Sequence, residues 1–79
     1  MKLNELKNKR ILILGFGREG KDTFFFLRRL FPGKVLGVAD VKKELGITNY
    51  ELRKDKKIRW HLGKNYLKSL KDYDVIIKS

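Results

Sequence analysis

Three glycines, Gly15, Gly17 and Gly20, stand at the spacing Gly-x-Gly-x-x-Gly, and an acid, Asp40, follows 20 positions after the last of them. In that pattern the first glycine permits a tight turn. The second lets a phosphate approach the backbone, and the third lets a helix pack close to a strand. A helix starting at such a loop offers free N–H groups and a partial positive charge to an anion. An acid at the end of the next strand binds ribose hydroxyls in dinucleotide sites. The chemistry on offer is therefore the holding of a nucleotide. Glu19 falls in the first helical turn, where its charge suits the helix dipole but repels an incoming phosphate. Arg18 and Lys21 offset it. A plainer reading stands beside this one: a tight strand-to-helix turn without a ligand, and a strand-end carboxylate that caps the turn after it.

No other group of residues supplies chemistry. The chain has no Cys and one His, which removes disulfides, thiol catalysis and Cys- or His-rich metal sites. His61 alternates with core positions and reads as a surface histidine. Asp72 and Asp74 read as turn acids, Trp60 as core, and Phe25 as an exposed aromatic on the polar side of its helix. No nucleophile, base and orienting group can be assembled from these side chains, so no catalytic residue is expected.

The elements that must position the loop follow from periodicity. Residues 1–9 are a polar lead-in anchored by Leu3 and Leu6. Arg10 to Leu14 is an apolar run ending in Gly, the pattern of a strand buried on both faces. A helix follows to Phe31, with Gly20, Phe24, Leu27 and Phe31 on one stripe, and Pro32-Gly33 stops it. Val35 to Ala39 is a second strand ending in Asp40. Thr48 and Glu51 fit a capping box for a short helix to about Lys54. Ile58, Trp60 and Leu62 mark a third strand, Asn65 caps a helix carrying Tyr66, Leu67 and Leu70, and Tyr73 to Ile77 is the last strand. Alternating strands and helices predict an α/β, Rossmann-like parallel sheet in the order 3-2-1-4, with helices on both faces. That is half of a doubly wound fold, so the chain reads as one domain cut from something longer.

Length and charge agree with one soluble domain. The chain has 79 residues, and its 20 Lys and Arg against 9 Asp and Glu leave a net charge of +11. The densest cationic stretch is Arg53, Lys54, Lys56, Lys57 and Arg59, interrupted by Asp55. No nucleic-acid motif surrounds it, so a solvated basic surface is favoured over a nucleic-acid partner. No apolar run is long enough for a signal peptide or a membrane span, and the expected location is the cytoplasm.

The run Arg10-Ile-Leu-Ile-Leu-Gly-Phe-Gly-Arg-Glu-Gly20 resembles the opening of the Mur ligases, in particular the branch that adds D-glutamate to a peptidoglycan precursor. Val38-Ala39-Asp40, His61-Leu62-Gly63 and Asp72-Tyr73-Asp74-Val75-Ile76-Ile77-Lys78-Ser79 match in order and spacing. The resemblance covers residues 10–79 and the first of the family's three domains. It implies a Rossmann-like domain that holds the UDP part of UDP-N-acetylmuramoyl-L-alanine and not NAD. Gly17, Arg18, Glu19 and Gly20, with Gly15 in the turn, would hold the diphosphate. Asp40 and Lys42 would hold the uracil. The domain itself would need no cofactor, while ATP and magnesium would bind the remaining domains of the same ligase. The chain departs from the family's pattern at Glu19, where small or hydroxyl residues are common. It departs again at Val41, which has no hydroxyl, and at Lys42, which lacks a planar guanidinium. An NAD-binding regulatory or dehydrogenase module is the other reading of the glycine motif with Asp40.

Overall fold

Ile11, Leu12 and Ile13 have no accessible surface, because the strand they form lies in the middle of a sheet covered on both sides. A computed structural model describes residues 3–79; the expected anchor Leu3 begins a 3-10 segment, Leu3–Asn8, but its side chain lies outside the described residues, as do Met1 and Lys2. The strands are β1 (Ile11–Leu14), β2 (Leu36–Asp40), β3 (Ile58–Leu62) and β4 (Val75–Lys78). The helices are α1 (Arg18–Leu30) and α2 (Tyr50–Lys54), and a second 3-10 segment spans Tyr66–Asp72. All pairings are parallel and the order is β3-β2-β1-β4, the expected Rossmann-like arrangement.

Register decides which side chains share a face. Ile13 pairs with Val38 and Ile77, and Val38 pairs with Trp60. Ile11, Ile13, Leu36, Val38, Ile58 and Trp60 therefore meet α1 in one core with Phe16, Phe24 and Leu27. Phe24 is 1% exposed, so truncating it to Ala costs about 3–5 kcal/mol. The opposite face carries Leu12, Gly37, Ala39 and His61, partly roofed by the second 3-10 segment and by Tyr73.

Several boundaries differ from the expectation. α2 starts one residue later than a Thr48 cap requires: Asn49 is the N-cap, and its side chain accepts the Leu52 N–H at 3.1 Å. Asn and Thr both cap, Asn somewhat better, and three-residue spacing suits either. Asn65 begins its segment without a side-chain cap. The segment is 3-10 and not α, and within it Leu67 is exposed while Ser69 is buried. β4 begins at Val75 because the N–H groups of Asp74 and Val75 both turn to the Arg10 carbonyl. That leaves the Tyr73 ring over Gly37, where a side chain on Gly37 would collide with it. Phe25 is not the exposed aromatic of α1. It packs edge-on against Phe24 beside the core, and Phe26 is the exposed one at 45%.

Arg28 joins four segments. Its guanidinium donates to Asp55 at 2.9 Å, to the Phe31 carbonyl at 3.1 Å, to the Lys57 carbonyl at 3.1 Å, and to the Lys34 carbonyl. Its carbon also lies 5.3 Å above the Phe24 ring centroid. Asp55 therefore does more than interrupt a basic stretch: it closes α2 against the end of α1.

Candidate functional site

The glycine loop occupies the turn between β1 and α1. Gly15 has φ +92°, the left-handed region that favours glycine, and its N–H donates to the Ala39 carbonyl at 2.7 Å. Phe16 turns inward and is 2% exposed, edge-on to Phe24 and Trp60 with ring centroids 6.2 and 5.5 Å away. That buried ring anchors the loop. Gly17 is the N-cap of α1 and offers no capping side chain, so the first-turn N–H groups have no partner within the helix. The space beside Gly17 is empty to 4 Å, whereas a side chain on Gly20 would strike the Gly15 carbonyl. Gly17 thus leaves room for an approaching anion, and Gly20 permits the close packing of helix on strand.

Asp40 stands at the end of β2 beside this loop. Its Oδ2 accepts the Phe16 N–H at 2.8 Å, and its Oδ1 accepts the Lys42 N–H at 2.9 Å. The turn-capping reading is therefore present in the structure. Two of roughly four acceptor positions on the carboxylate remain for a ligand. Lys42 is brought close through its backbone, and its side chain is exposed. Arg18 and Glu19 are exposed on the first turn of α1.

Ser79, quoted above only within a motif, also belongs to this rim. Its hydroxyl lies 2.8 Å from the Gly15 carbonyl oxygen and 3.1 Å from that of Leu14. A cleft of about 220 Å³ lies here, lined by Leu14, Gly15, Asp40, Val41, Tyr66 and Ser79. A wider one of about 500 Å³ adjoins it at the ends of β2 and β3, lined by Val41, Lys43, Gly63, Lys64 and Asn65. Both lie at the carboxyl ends of the strands, where chain order reverses about β1 and where open α/β sheets bind ligands. Depressions of about 430 and 460 Å³ around His61 and Tyr73 include none of the loop residues, although the first meets the two clefts at Asn65 and Tyr66.

His61 is half-buried and not a free surface histidine. Its Nε2 lies 2.7 Å from the Tyr73 hydroxyl, because the register with Ala39 turns it to the face that Tyr73 covers. Burial pushes the Tyr73 phenol above its ordinary value, with Arg59 opposing the shift and Asp72 adding to it. Asp74 binds the Arg10 N–H at 2.8 Å and its guanidinium at 3.2 Å, as a turn acid does. Among the described residues no cluster of acids and histidines could hold a metal ion, and no helix is long and apolar enough to cross a membrane.

Fold and rim together define an α/β protein of the Rossmann-like class with a Gly-x-Gly-x-x-Gly turn between β1 and α1. Two relatives add to that. The chain is 30% identical over 74 residues to a UDP-N-acetylmuramoylalanine–D-glutamate ligase of Clostridium acetobutylicum, covering 94% of this chain and 16% of that protein. It is 33% identical over 82 positions to the same ligase of Borreliella afzelii, covering 100% of this chain and 18% of that protein. The resemblance to D-glutamate-adding Mur ligases therefore holds along nearly the whole chain, which spans about a sixth of its relatives' length. No family model matches the chain, and no solved structure does.

Proposed function

We propose that this chain is the substrate-binding domain of a D-glutamate-adding peptidoglycan ligase and holds the UDP part of UDP-N-acetylmuramoyl-L-alanine. The observation that carries the proposal is Asp40 fastened to the glycine loop at the switch point, in a chain similar over 94% of its length to such a ligase. The diphosphate lies against the N–H groups of Gly17, Arg18 and Gly20, with Arg18 adding charge and Gly15 making the turn. Glu19 borders the same anion. Asp40 accepts the single ring N–H of the uracil, for which one free acceptor position suffices. Lys42 donates to a uracil carbonyl oxygen.

In this reading the domain binds and orients, and carries no catalytic residue. ATP and magnesium serve other domains of the ligase, which would form the amide bond. The domain acts in the cytoplasm, where UDP-sugars are made.

An amide NMR titration with UDP, and with NAD in parallel, tests the reading. Shifts at Gly17, Arg18, Gly20, Asp40 and Lys42 with UDP alone are expected. Shifts with NAD alone would overturn the proposal in favour of a dinucleotide module. Silence with UDP at millimolar concentration would count heavily against it.

A further inference from the structure

We infer that Ser79 is a positioning residue of the glycine loop, and that it and Asp40 hold the same peptide unit from opposite sides. The Gly15–Phe16 peptide crosses the end of β1. Its N–H donates to Asp40 Oδ2 at 2.8 Å. Its carbonyl oxygen, that of Gly15, is the nearer acceptor of the Ser79 hydroxyl, at 2.8 Å against 3.1 Å for the Leu14 carbonyl, which already takes the Ser79 N–H. The two holders belong to different neighbours of β1, since Asp40 ends β2 and Ser79 follows β4. Ser79 is itself fixed, its N–H donating to the Leu14 carbonyl at 3.1 Å. Its hydroxyl fills a notch between the loop and the helix start. A side-chain carbon on Gly15 would come within 2.9 Å of it, and one on Gly20 within 3.3 Å.

A peptide plane held at both its N–H and its C=O cannot rotate. Gly15 has the wide conformational range of any glycine, and these bonds narrow it on the carbonyl side as the Ala39 carbonyl does at its N–H. Fixing this plane fixes the direction of the N–H groups that follow, at Gly17 and Arg18. A site whose donors are already aimed does not spend binding energy on ordering them. Ser79 therefore acts on a ligand through the Gly15 carbonyl. The ligand part of this inference rests on the UDP reading above, and the loop part rests on the hydrogen bonds alone.

The test compares the parent chain with Ser79→Ala and Ser79→Thr by amide NMR, each C-terminally amidated so that no terminal carboxylate stands beside the loop. In the ligand-free chain, Ser79→Ala is expected to shift the Phe16, Gly17 and Arg18 amides and to speed hydrogen exchange at Phe16. Titrated with UDP, it is expected to bind about fivefold more weakly, the worth of one hydrogen bond. Ser79→Thr keeps the hydroxyl and is expected to restore both. Unchanged loop amides in Ser79→Ala would overturn the inference. Altered amides with unchanged UDP affinity would overturn its ligand part. If the parent chain ignores UDP while Ser79→Ala still moves the loop amides, the UDP reading falls and the loop-positioning role stands. Should Ser79→Ala fail to fold, Ser79→Cys, similar in size but a weak donor, decides by the same amides.

Discussion

The Asp40 carboxylate and the Phe16 N–H are joined by one 2.8 Å hydrogen bond that ties the end of β2 to the glycine loop after β1. The same residue, Phe16, sends its ring into the core against Phe24 and Trp60. The loop is thus held by its backbone from one side and by its side chain from the other. Asp40 is part of the scaffold that shapes the loop before it is a contact for any ligand, and variants at the two positions separate the roles.

Asp40→Ala removes the acceptor of two N–H groups, those of Phe16 and Lys42. It is expected to lower stability by about 1–3 kcal/mol and UDP affinity about tenfold or more. Asp40→Asn keeps one acceptor oxygen and is expected to lie between. Urea unfolding and UDP titration read the two effects apart. A folded Ala variant with undiminished affinity would remove Asp40 from the site.

Gly17 and Gly20 have opposite failures. A side chain at Gly20 meets the Gly15 carbonyl, so Gly20→Ala is expected to cost roughly 3 kcal/mol, an overpacking penalty. At Gly17 there is open space and a negative φ of −77°, so Gly17→Ala is expected to cost no more than about 1 kcal/mol. Its methyl group would enter the space given to the proposed diphosphate, and UDP affinity should fall about tenfold. Equal stability loss in both variants would contradict this division of labour.

Glu19 offers a change in the favourable direction. It lies exposed on the first turn of α1, next to the proposed diphosphate. Glu19→Gln is expected to raise UDP affinity a few-fold at low salt, with the gain shrinking as salt screens the charge. Stability should drop by about 0.3–1 kcal/mol, since the helix dipole loses its partner. Affinity that stays the same or falls at low salt would show that Glu19 does not face the ligand.

Much of this was legible beforehand because it is periodic or local. The unbroken apolar run Ile11–Leu14 marks a central strand, and the stripe Gly20, Phe24, Leu27 marks the buried side of α1. Asp40 beside the loop follows from motif spacing. What was hidden depends on register and on contacts far apart in sequence. Ser79 reaches Gly15 across 64 positions, and Arg28 reaches Asp55 across 27, with nothing local to announce either. Phe25 departs from the ideal helical wheel because its large ring leans back toward the core, edge-on to Phe24. The capping-box spacing points to Thr48 and misses Asn49, whose side chain accepts the Leu52 N–H, because a residue one position on also lies within reach of the first turn.

Arg28 supplies a stability test away from the site. Its side chain and that of Asp55 are 17% and 16% exposed. Arg28→Ala takes the guanidinium away from Asp55 Oδ2 and the Lys34 carbonyl, while the Lys57 N–H still reaches Asp55 Oδ1 at 2.8 Å, and it is expected to cost roughly 2–4 kcal/mol. Arg28→Lys cannot reproduce the planar fork and should recover only part of that. A Lys variant as stable as the parent in urea would mean that charge alone matters there.

The two ends of the pH range test different contacts. Asp74 is held below the ordinary carboxylate value first by its side-chain hydrogen bond from Arg10 and then by the Arg10 backbone N–H. Its contribution is therefore present above the ordinary Asp value of 3.8 and lost as pH falls through the lower folded value. The difference in urea midpoint between the parent and Asp74→Asn should shrink in that acid window. Tyr73 runs the other way. Burial raises its phenol above 10.0, so the neutral form is the one the fold favours. Its contribution is complete below that ordinary value and lost as pH rises through the folded one. Tyr73→Phe gives up the bond to His61, at about 1 kcal/mol near neutral pH. It also has no phenol to ionise. The parent's advantage over Tyr73→Phe should therefore narrow above about pH 10, where the parent alone must bury or expose a phenolate. A difference that stays constant across that range would mean that the Tyr73 hydroxyl is not buried against the sheet as the structure places it.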